Sequence, residues 1–214
     1  MMTMVEPVYN TIVDKTYNMI DDQNRIVSMQ YPTYCSGSSL DRYNTAIGTG
    51  VVMFMNTAEG QRFVPTSRCL KGVILMLKRV TAAVTADFYV EIRADSGGLP
   101  AGDPQSSSNR LGYVVIPYSS VTTTYGEITA DLNIVLSNLN PVWIVVCINQ
   151  YTPNGPVDSF YRLDGGLGTG TAEEYEAYKT GLGSWTQTND SNYFKTNKGT
   201  YTSCAPMTVS MTIP

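Results

Sequence analysis

The chain has 214 residues, a formal net charge of −4 and no histidine, and only 15% of its residues are charged. Without histidine it lacks the commonest general base and transition-metal ligand, which excludes the usual catalytic triads and His-ligated zinc. Its Lys and Arg residues form no run longer than a pair such as Lys78–Arg79, so a groove that follows nucleic-acid phosphates is not expected. We therefore predict a protein that is not an enzyme, uses no metal or cofactor and binds no nucleic acid.

Residues 1–49 are interpreted as an N-terminal arm or first-strand region. Residues 1–22 lack a cationic segment followed by an apolar run, so no secretory signal is predicted. Apolar residues in this segment approximate a helical stripe, but Thr, Val, Ile and Tyr are mediocre helix formers, so a short helix and an extended arm are both open. Residues 31–49, rich in Ser and Gly, are predicted to be a loop. The arm is either a packed first strand or an assembly element.

A β-domain is predicted over residues 50–214. It begins with a strand at 50–55, a turn at 56–60 and a strand at 61–65. Residues 69–78 are apolar on both faces, whereas residues 88–93 alternate as in a strand with one face in water. The Gly-rich turn at 95–100 ends that strand, and residues 101–109 are predicted to be a surface loop with nothing to pack.

The second half of the chain continues this strand-and-turn design. Strands are predicted at 111–117, 127–136 and 142–148, the last apolar on both faces and too short to span a membrane. Residues 150–183 are interpreted as a decorated loop region with a strand near 159–163 and a helical turn over 172–179, capped by Thr171. Strands at 184–187, 193–196 and 207–213 bring the total to about nine, which predicts an all-β fold, an antiparallel β-sandwich of the jelly-roll type.

Four cysteines are spread along the chain at Cys35, Cys69, Cys147 and Cys204. They are too far apart for a CxxC-type metal knuckle, and they allow more than one disulfide pairing. Cys147 lies in an apolar strand and is expected to be buried as a small hydrophobic residue. A Cys69–Cys204 bridge is one candidate, because each residue lies near the start of a strand.

Aromatic residues of the second half are candidates for a glycan-binding platform, because flat rings stack on sugar faces. The candidate platform consists of Tyr161, Tyr175, Tyr178 and Trp185. In the alternative interpretation, Trp185 packs on a sheet edge and the tyrosines fill a loop cluster. Trp143 is expected in the core, because it lies on an apolar strand.

Acidic residues in the turns are candidates for calcium ligands or paired catalytic acids. The residues concerned are Asp95, Asp103, Asp158 and Asp164, followed by Glu173, Glu174 and Glu176. No D-x-D-x-D-G run is present, and Asp is a favoured turn residue, so the aspartates are interpreted as turn formers. The glutamates are expected to be solvated, because glycoside hydrolysis needs two acids that face each other across a bond.

Several turn and strand motifs recur in an order that suggests a family resemblance. They consist of Asp95, Gly98, Pro100 and Gly102, then Leu139, Pro141 and Trp143, then Gly183 and Trp185. This order, from residue 61 to about residue 200, resembles the jelly-roll β-sandwich modules of phage and archaeal-virus particle proteins and of bacterial surface proteins. The resemblance covers roughly two-thirds of the chain, is a pattern of turns and strands and includes no catalytic signature.

The resemblance implies a structural protein of a virus particle, as a capsid decoration, turret or tail and host-attachment component. Such a protein would be found in the virion, form homo-oligomers, contact other virion proteins and have host-surface glycans as candidate ligands. The lack of a signal sequence favours this setting, because a virus leaves its host by lysis or budding. The alternative is a stand-alone carbohydrate-binding module or adhesin at the cell surface or outside the cell.

Overall fold

The computed structural model describes residues 34–45, 51–54, 56–149, 161–163, 165–166, 175–188 and 191–202. Within these ranges the only helical element is a 3-10 turn at Tyr118–Ser120, and all other regular structure is β. The strands are β1 (Tyr34–Asn44), β2 (Val51–Met53), β3 (Thr57–Phe63), β4 (Cys69–Arg79), β5 (Phe88–Ser96), β6 (Leu99–Pro100), β7 (Arg110–Ile116), β8 (Gly126–Val135), β9 (Val142–Ile148), β10 (Tyr161–Leu163), β11 (Gly165–Gly166), β12 (Glu176–Thr180), β13 (Thr186–Thr188), β14 (Ser191–Asn192) and β15 (Phe194–Thr202). The predicted all-β fold is confirmed.

The first sheet is built around β4, whose long apolar sequence suits a central strand with neighbours on both sides. On one side β4 pairs antiparallel with β8. On its other side it pairs first with β15 and then, beyond Leu75, with β10. Strand β1 lies beyond β15, and β2 lies beyond β10.

The second sheet has the order β13-β12-β3-β9-β5, and both β6 and β7 pair with the outer side of β5. All pairings in both sheets are antiparallel. Every residue of β9 is buried, as predicted for residues 142–148. A separate two-stranded ribbon joins β11 to β14.

The hydrophobic core lies between the inner faces of the two sheets. Phe63 on β3 meets Phe194 on β15 with ring centroids 6.2 Å apart, and both side chains are wholly buried. Alternate residues of β5 and β9, such as Val90 and Ile144, share this inner face through the strand register. Each such side chain contributes about 1.5–3 kcal/mol when it is fully removed from water. The sheets therefore form a two-layer sandwich.

The outer face of β5 corrects the prediction of a strand with one wet face. Tyr89, Glu91 and Arg93 are all buried, because residues 99–109 fold back over this side of the sheet. Residues 101–109 were predicted to be a surface loop with nothing to pack, and that prediction was wrong. The sequence pattern shows which side of a strand is polar, but not whether a later segment covers it.

Three local predictions were wrong, each where strand pairing overrides local preference. The loop predicted at 31–49 contains β1, which pairs along β15. Residues 57–60 of the turn predicted at 56–60 belong to β3, which is paired on both sides, and only Asn56 is in a turn. The helical turn predicted at 172–179 is instead a strand over Glu176–Thr180, because this segment pairs with both β3 and β13.

A disulfide joins Cys35 at the start of β1 to Cys69 at the start of β4. This pairing corrects the Cys69–Cys204 candidate, because Cys69 is already bonded. Gly199 on β15 lies between these two strands, where a Cβ atom would come within 2.9 Å of the Ser36 carbonyl oxygen. Cys147 is buried and free, as expected.

Some predictions fall outside the described residues. They concern residues 1–33 of the arm, the strand at 207–213, Cys204, Asp158, Asp164, Thr171, Glu173 and Glu174.

Candidate functional site

Strand β1 forms an exposed edge of the first sheet. Among the described residues it pairs only with β15. Two of its apolar side chains face water, with Leu40 50% exposed and Tyr43 58% exposed. Residues 36–40 are all exposed and carry no charge. The register of β1 with β15 shifts between Ser36 and Ser39 and again between Leu40 and Tyr43. At its regularly paired positions the edge presents backbone N–H and C=O groups that can pair with another strand.

The C-terminal half of β1 is held firmly to the sheet. The Arg42 Nε donates a hydrogen bond to the Val64 carbonyl oxygen at 2.8 Å, and the Arg42 backbone N–H donates to Thr196 Oγ1 at 3.0 Å. Asp41 lies 3.3 Å from the Lys198 ammonium and accepts a hydrogen bond from Thr66 N at 3.1 Å. The charges of β1 are therefore already engaged within the chain.

The outer face of the second sheet carries a buried ion pair. Arg93 Nη1 lies 3.0 Å from Glu91 Oε1, and both side chains are wholly buried. The Arg93 guanidinium also donates hydrogen bonds to the carbonyl oxygens of Ala101, Ser106 and Ser108. Burial raises the pKa of Glu91, and Arg93 together with the Gln105 backbone N–H opposes part of that rise. This arrangement fastens the covering segment 99–109 to the sheet.

The Gly-rich turn that begins the covering segment is organised by Asp95. Its carboxylate accepts hydrogen bonds from Trp143 Nε1 at 2.8 Å, Arg62 Nε at 2.9 Å and the Gly98 backbone N–H at 3.0 Å. Burial raises the pKa of Asp95, but these three hydrogen bonds lower it below its ordinary value. Asp95 therefore has a structural role in the turn, as its interpretation as a turn former predicts.

A second group of buried polar side chains lies on the inner face of the same sheet. Glu59, Gln61 and Phe63 alternate along β3, so they share the face on which Phe63 meets Phe194. Glu176 lies directly opposite Gln61, and Thr188 lies directly opposite Glu176. Residues directly opposite in an antiparallel pair project from the same face. Three adjacent strands therefore direct polar side chains towards one place.

Strand β14 adds Asn192 to this place. The Asn192 backbone N–H donates a hydrogen bond to Gln61 Oε1 at 2.7 Å, and the residue is only 1% exposed. Its side-chain Oδ1 and Nδ2 atoms are also buried, and neither has a hydrogen-bond partner. We call Glu59, Gln61, Glu176, Thr188 and Asn192 the inner polar cluster.

Glu59 and Glu176 are hydrogen-bonded to each other within this cluster. Two carboxyl groups can do so only when one of them is protonated. Burial, the charge of Glu176 and this hydrogen bond all raise the pKa of Glu59 well above its usual range. The expectation that Glu176 is solvated was wrong, because its side chain is buried.

The predicted glycan-platform residues do not gather around an open tryptophan. Trp185 is buried, and its Nε1 donates a hydrogen bond to the Gly102 carbonyl oxygen at 2.9 Å. Tyr178 on β12 is 41% exposed, and Tyr175 is partly buried against the core. Tyr161 belongs to β10 in the other sheet. Trp143 is in the core, as expected, and the interpretation that Trp185 packs against the sheet fits its position.

Asp103, the other described aspartate among the calcium candidates, takes part in an ion pair. Its carboxylate lies 3.0 Å from the Lys179 ammonium. Within the described ranges, no three Asp, Glu, Cys or His residues gather as metal ligands. In the same part of the chain, no helix is long and apolar enough to cross a bilayer.

Sequence reasoning missed the inner polar cluster, because its members come from four separate strands. Glu59 lay in a predicted turn, and no local spacing connects it with Thr188 or Asn192.

Comparison with known proteins does not assign a function to these features. No protein-family model matches the chain, and neither a curated protein nor a solved structure matches it.

Proposed function

We propose that this protein is a structural component of a virus particle that acts by self-assembly, with β1 as the edge through which copies associate. The observation that carries the proposal is the exposed and uncharged stretch of residues 36–40 on the edge strand β1. Soluble proteins usually protect such edges with charges, prolines, β-bulges or a covering segment. Of these, β1 has two register irregularities against β15. Residues 36–40 have no charge and no proline, and they are exposed.

A second copy of the chain is the partner that suits this edge best. Two β1 strands can pair antiparallel about a two-fold axis, so that each edge meets an identical edge. The uncharged residues 36–40 bring no like charges together, because the nearby Asp41 and Arg42 are engaged within their own chain. Leu40 and Tyr43 would add apolar contact to the backbone hydrogen bonds.

The placement in a virus particle is supported by the sequence resemblance to particle modules. A sandwich with few charges and a pairing edge suits repeated contacts between copies, which a particle needs in large numbers. The same edge in a free binding module would promote unwanted association.

Sedimentation velocity over a range of protein concentrations tests self-association. We expect concentration-dependent oligomers of the wild-type protein and a shift to monomer for Leu40→Lys, because a buried lysine at the edge opposes pairing. Leu182→Lys is the matched control, since Leu182 is 80% exposed in the turn after β12, and it should behave as wild type. A wild-type protein that stays monomeric at every concentration would contradict the proposed edge.

Mass spectrometry of density-gradient-purified particles from the source culture tests the setting. The proposal predicts that the protein bands with particles in many copies. Its absence from particles and presence on cell surfaces would overturn the proposal in favour of the carbohydrate-binding alternative. A glycan screen would then begin with Tyr178, the exposed member of the predicted platform among residues with described side chains.

A further inference from the structure

We propose that the inner polar cluster binds a hard divalent cation of the Ca²⁺ class, with oxygen atoms of Glu59, Glu176, Thr188 and Asn192 as ligands. This inference goes beyond the proposed self-assembly, since it concerns the interior of the sandwich and not its edge. It also differs from the sequence prediction of a protein without a metal.

The register brings these four side chains together. Thr188, Glu176 and Gln61 occupy one row across β13, β12 and β3, and Glu59 is the diagonal neighbour of Glu176. The Glu59–Glu176 hydrogen bond shows that the two carboxyl groups are in contact. Asn192 reaches the same row from β14 through its hydrogen bond to Gln61.

Unpartnered polar atoms point to a missing ligand. In the described part of the chain, six buried side-chain polar atoms have no hydrogen-bond partner. Four of the six belong to this cluster, namely Glu59 Oε2, Thr188 Oγ1 and both Oδ1 and Nδ2 of Asn192. Buried polar atoms normally have partners, and each exception costs about 1–3 kcal/mol. A concentration of them in one place indicates that something polar completes the site.

Charge favours a divalent cation over a neutral occupant. Glu59 is 4% exposed and Glu176 is 6% exposed, so water does not solvate their charges. Two ionised carboxylates together carry two negative charges, which one divalent ion neutralises. Without such an ion, the pair can persist in the interior only by holding a proton.

The donor types identify the class of cation. Carboxylate, hydroxyl and amide oxygens are the ligands of hard ions, and Ca²⁺ accepts a mixture of charged and neutral oxygens. The cluster has only two carboxyls, which agrees with the lack of any group of three or more acids in the described ranges. Tyr178, directly opposite Glu59, is 41% exposed, so the cluster borders solvent on the β12 side.

Calorimetric titration of the full chain with CaCl₂ tests the proposal. We expect about one ion bound per chain. Glu59→Gln and Thr188→Val should each weaken binding by at least about 10-fold. The control is Asp131→Asn, since Asp131 is an exposed acid on β8 in the other sheet, and it should bind as wild type.

Thermal unfolding keeps the test valid if a variant folds poorly. Wild type and Asp131→Asn should gain stability with millimolar CaCl₂, whereas folded Glu59→Gln should not. The proposal is overturned if wild type shows neither binding heat nor stabilisation with Ca²⁺, Mg²⁺ or Mn²⁺. It is also overturned if Glu59→Gln binds as tightly as wild type.

Discussion

The two faces of the second sheet bury acidic side chains in opposite ways. On the outer face, Glu91 has a partner in Arg93, whose remaining donors bind carbonyl oxygens of the covering segment. On the inner face, Glu59 contacts another carboxyl group, and its Oε2 has no partner. Even Glu91 leaves its Oε2 unpartnered, but its Oε1 accepts hydrogen bonds from Arg93 and Gln105.

The comparison shows that the partners of a buried acid distinguish a structural ion pair from a candidate binding site. On the outer face the chain itself supplies the counter-charge, and the Glu91–Arg93 ion pair holds the covering segment 99–109 against the sheet. When the chain brings together acids and neutral oxygens without completing their hydrogen bonds, the site requires a proton or an ion from solution.

The largest effect should come from breaking the outer pair. Arg93→Met leaves Glu91 buried without its counter-charge and releases the covering segment, so the free energy of unfolding should fall by about 3–5 kcal/mol. Urea denaturation measures this loss. The double variant Glu91→Gln/Arg93→Met should recover part of the stability, because it removes the orphaned charge. A loss below about 1 kcal/mol, as for an exposed pair, would contradict the structural role of the pair.

The next effect compares one substitution on both faces. Glu91→Gln should destabilise the protein by about 1–3 kcal/mol, because Arg93 loses its charged acceptor. Glu59→Gln, measured in EDTA at neutral pH, should be neutral or stabilising, since it removes a carboxyl that is costly to ionise. Equal losses for the two variants in urea denaturation would show that the faces do not differ in this way.

A smaller effect is expected from Gly102→Ala in the covering segment. Gly102 has a φ of +77°, and a Cβ atom there would lie 2.9 Å from Arg93 Nη2. We expect a loss of about 1–2 kcal/mol in thermal or urea unfolding. Gly97→Ala is the matched control, because Gly97 also has a positive φ but a Cβ atom added to it would have no neighbour within 4 Å. If both variants lose the same stability, the contact with Arg93 has no effect.

The smallest effect is the pH dependence of stability without metal. The folded-state pKa of Glu59 is raised, so the folded chain binds more protons than the unfolded chain between the two pKa values. Stability should therefore fall as pH rises through that window, by at most about 1.4 kcal/mol per pH unit. Urea denaturation across pH in EDTA should show this slope for wild type and a reduced slope for Glu59→Gln. Identical slopes would exclude Glu59 as its source.

The sequence predicted the fold better than the candidate site. Strands β4 and β9 follow from apolar residues on both faces, because that pattern reflects local burial. Two features could not be predicted, namely the packing of the covering segment 99–109 over Arg93 and the strand β12. Each depends on contacts with a distant segment of the chain. The inner polar cluster depends on contacts among four strands, so the spacing of Glu59 and Asn192 in the sequence carries no signal that they meet.

Anomalous diffraction from crystals soaked in TbCl₃ would test the central claim most directly, since Tb³⁺ replaces Ca²⁺ at oxygen sites. The account predicts an anomalous peak within roughly 2.3–2.6 Å of carboxylate oxygens of both Glu59 and Glu176. Asn192 Oδ1 and Thr188 Oγ1 should turn towards the same peak. The absence of a peak there, with the two carboxyl groups still hydrogen-bonded to each other, would contradict it.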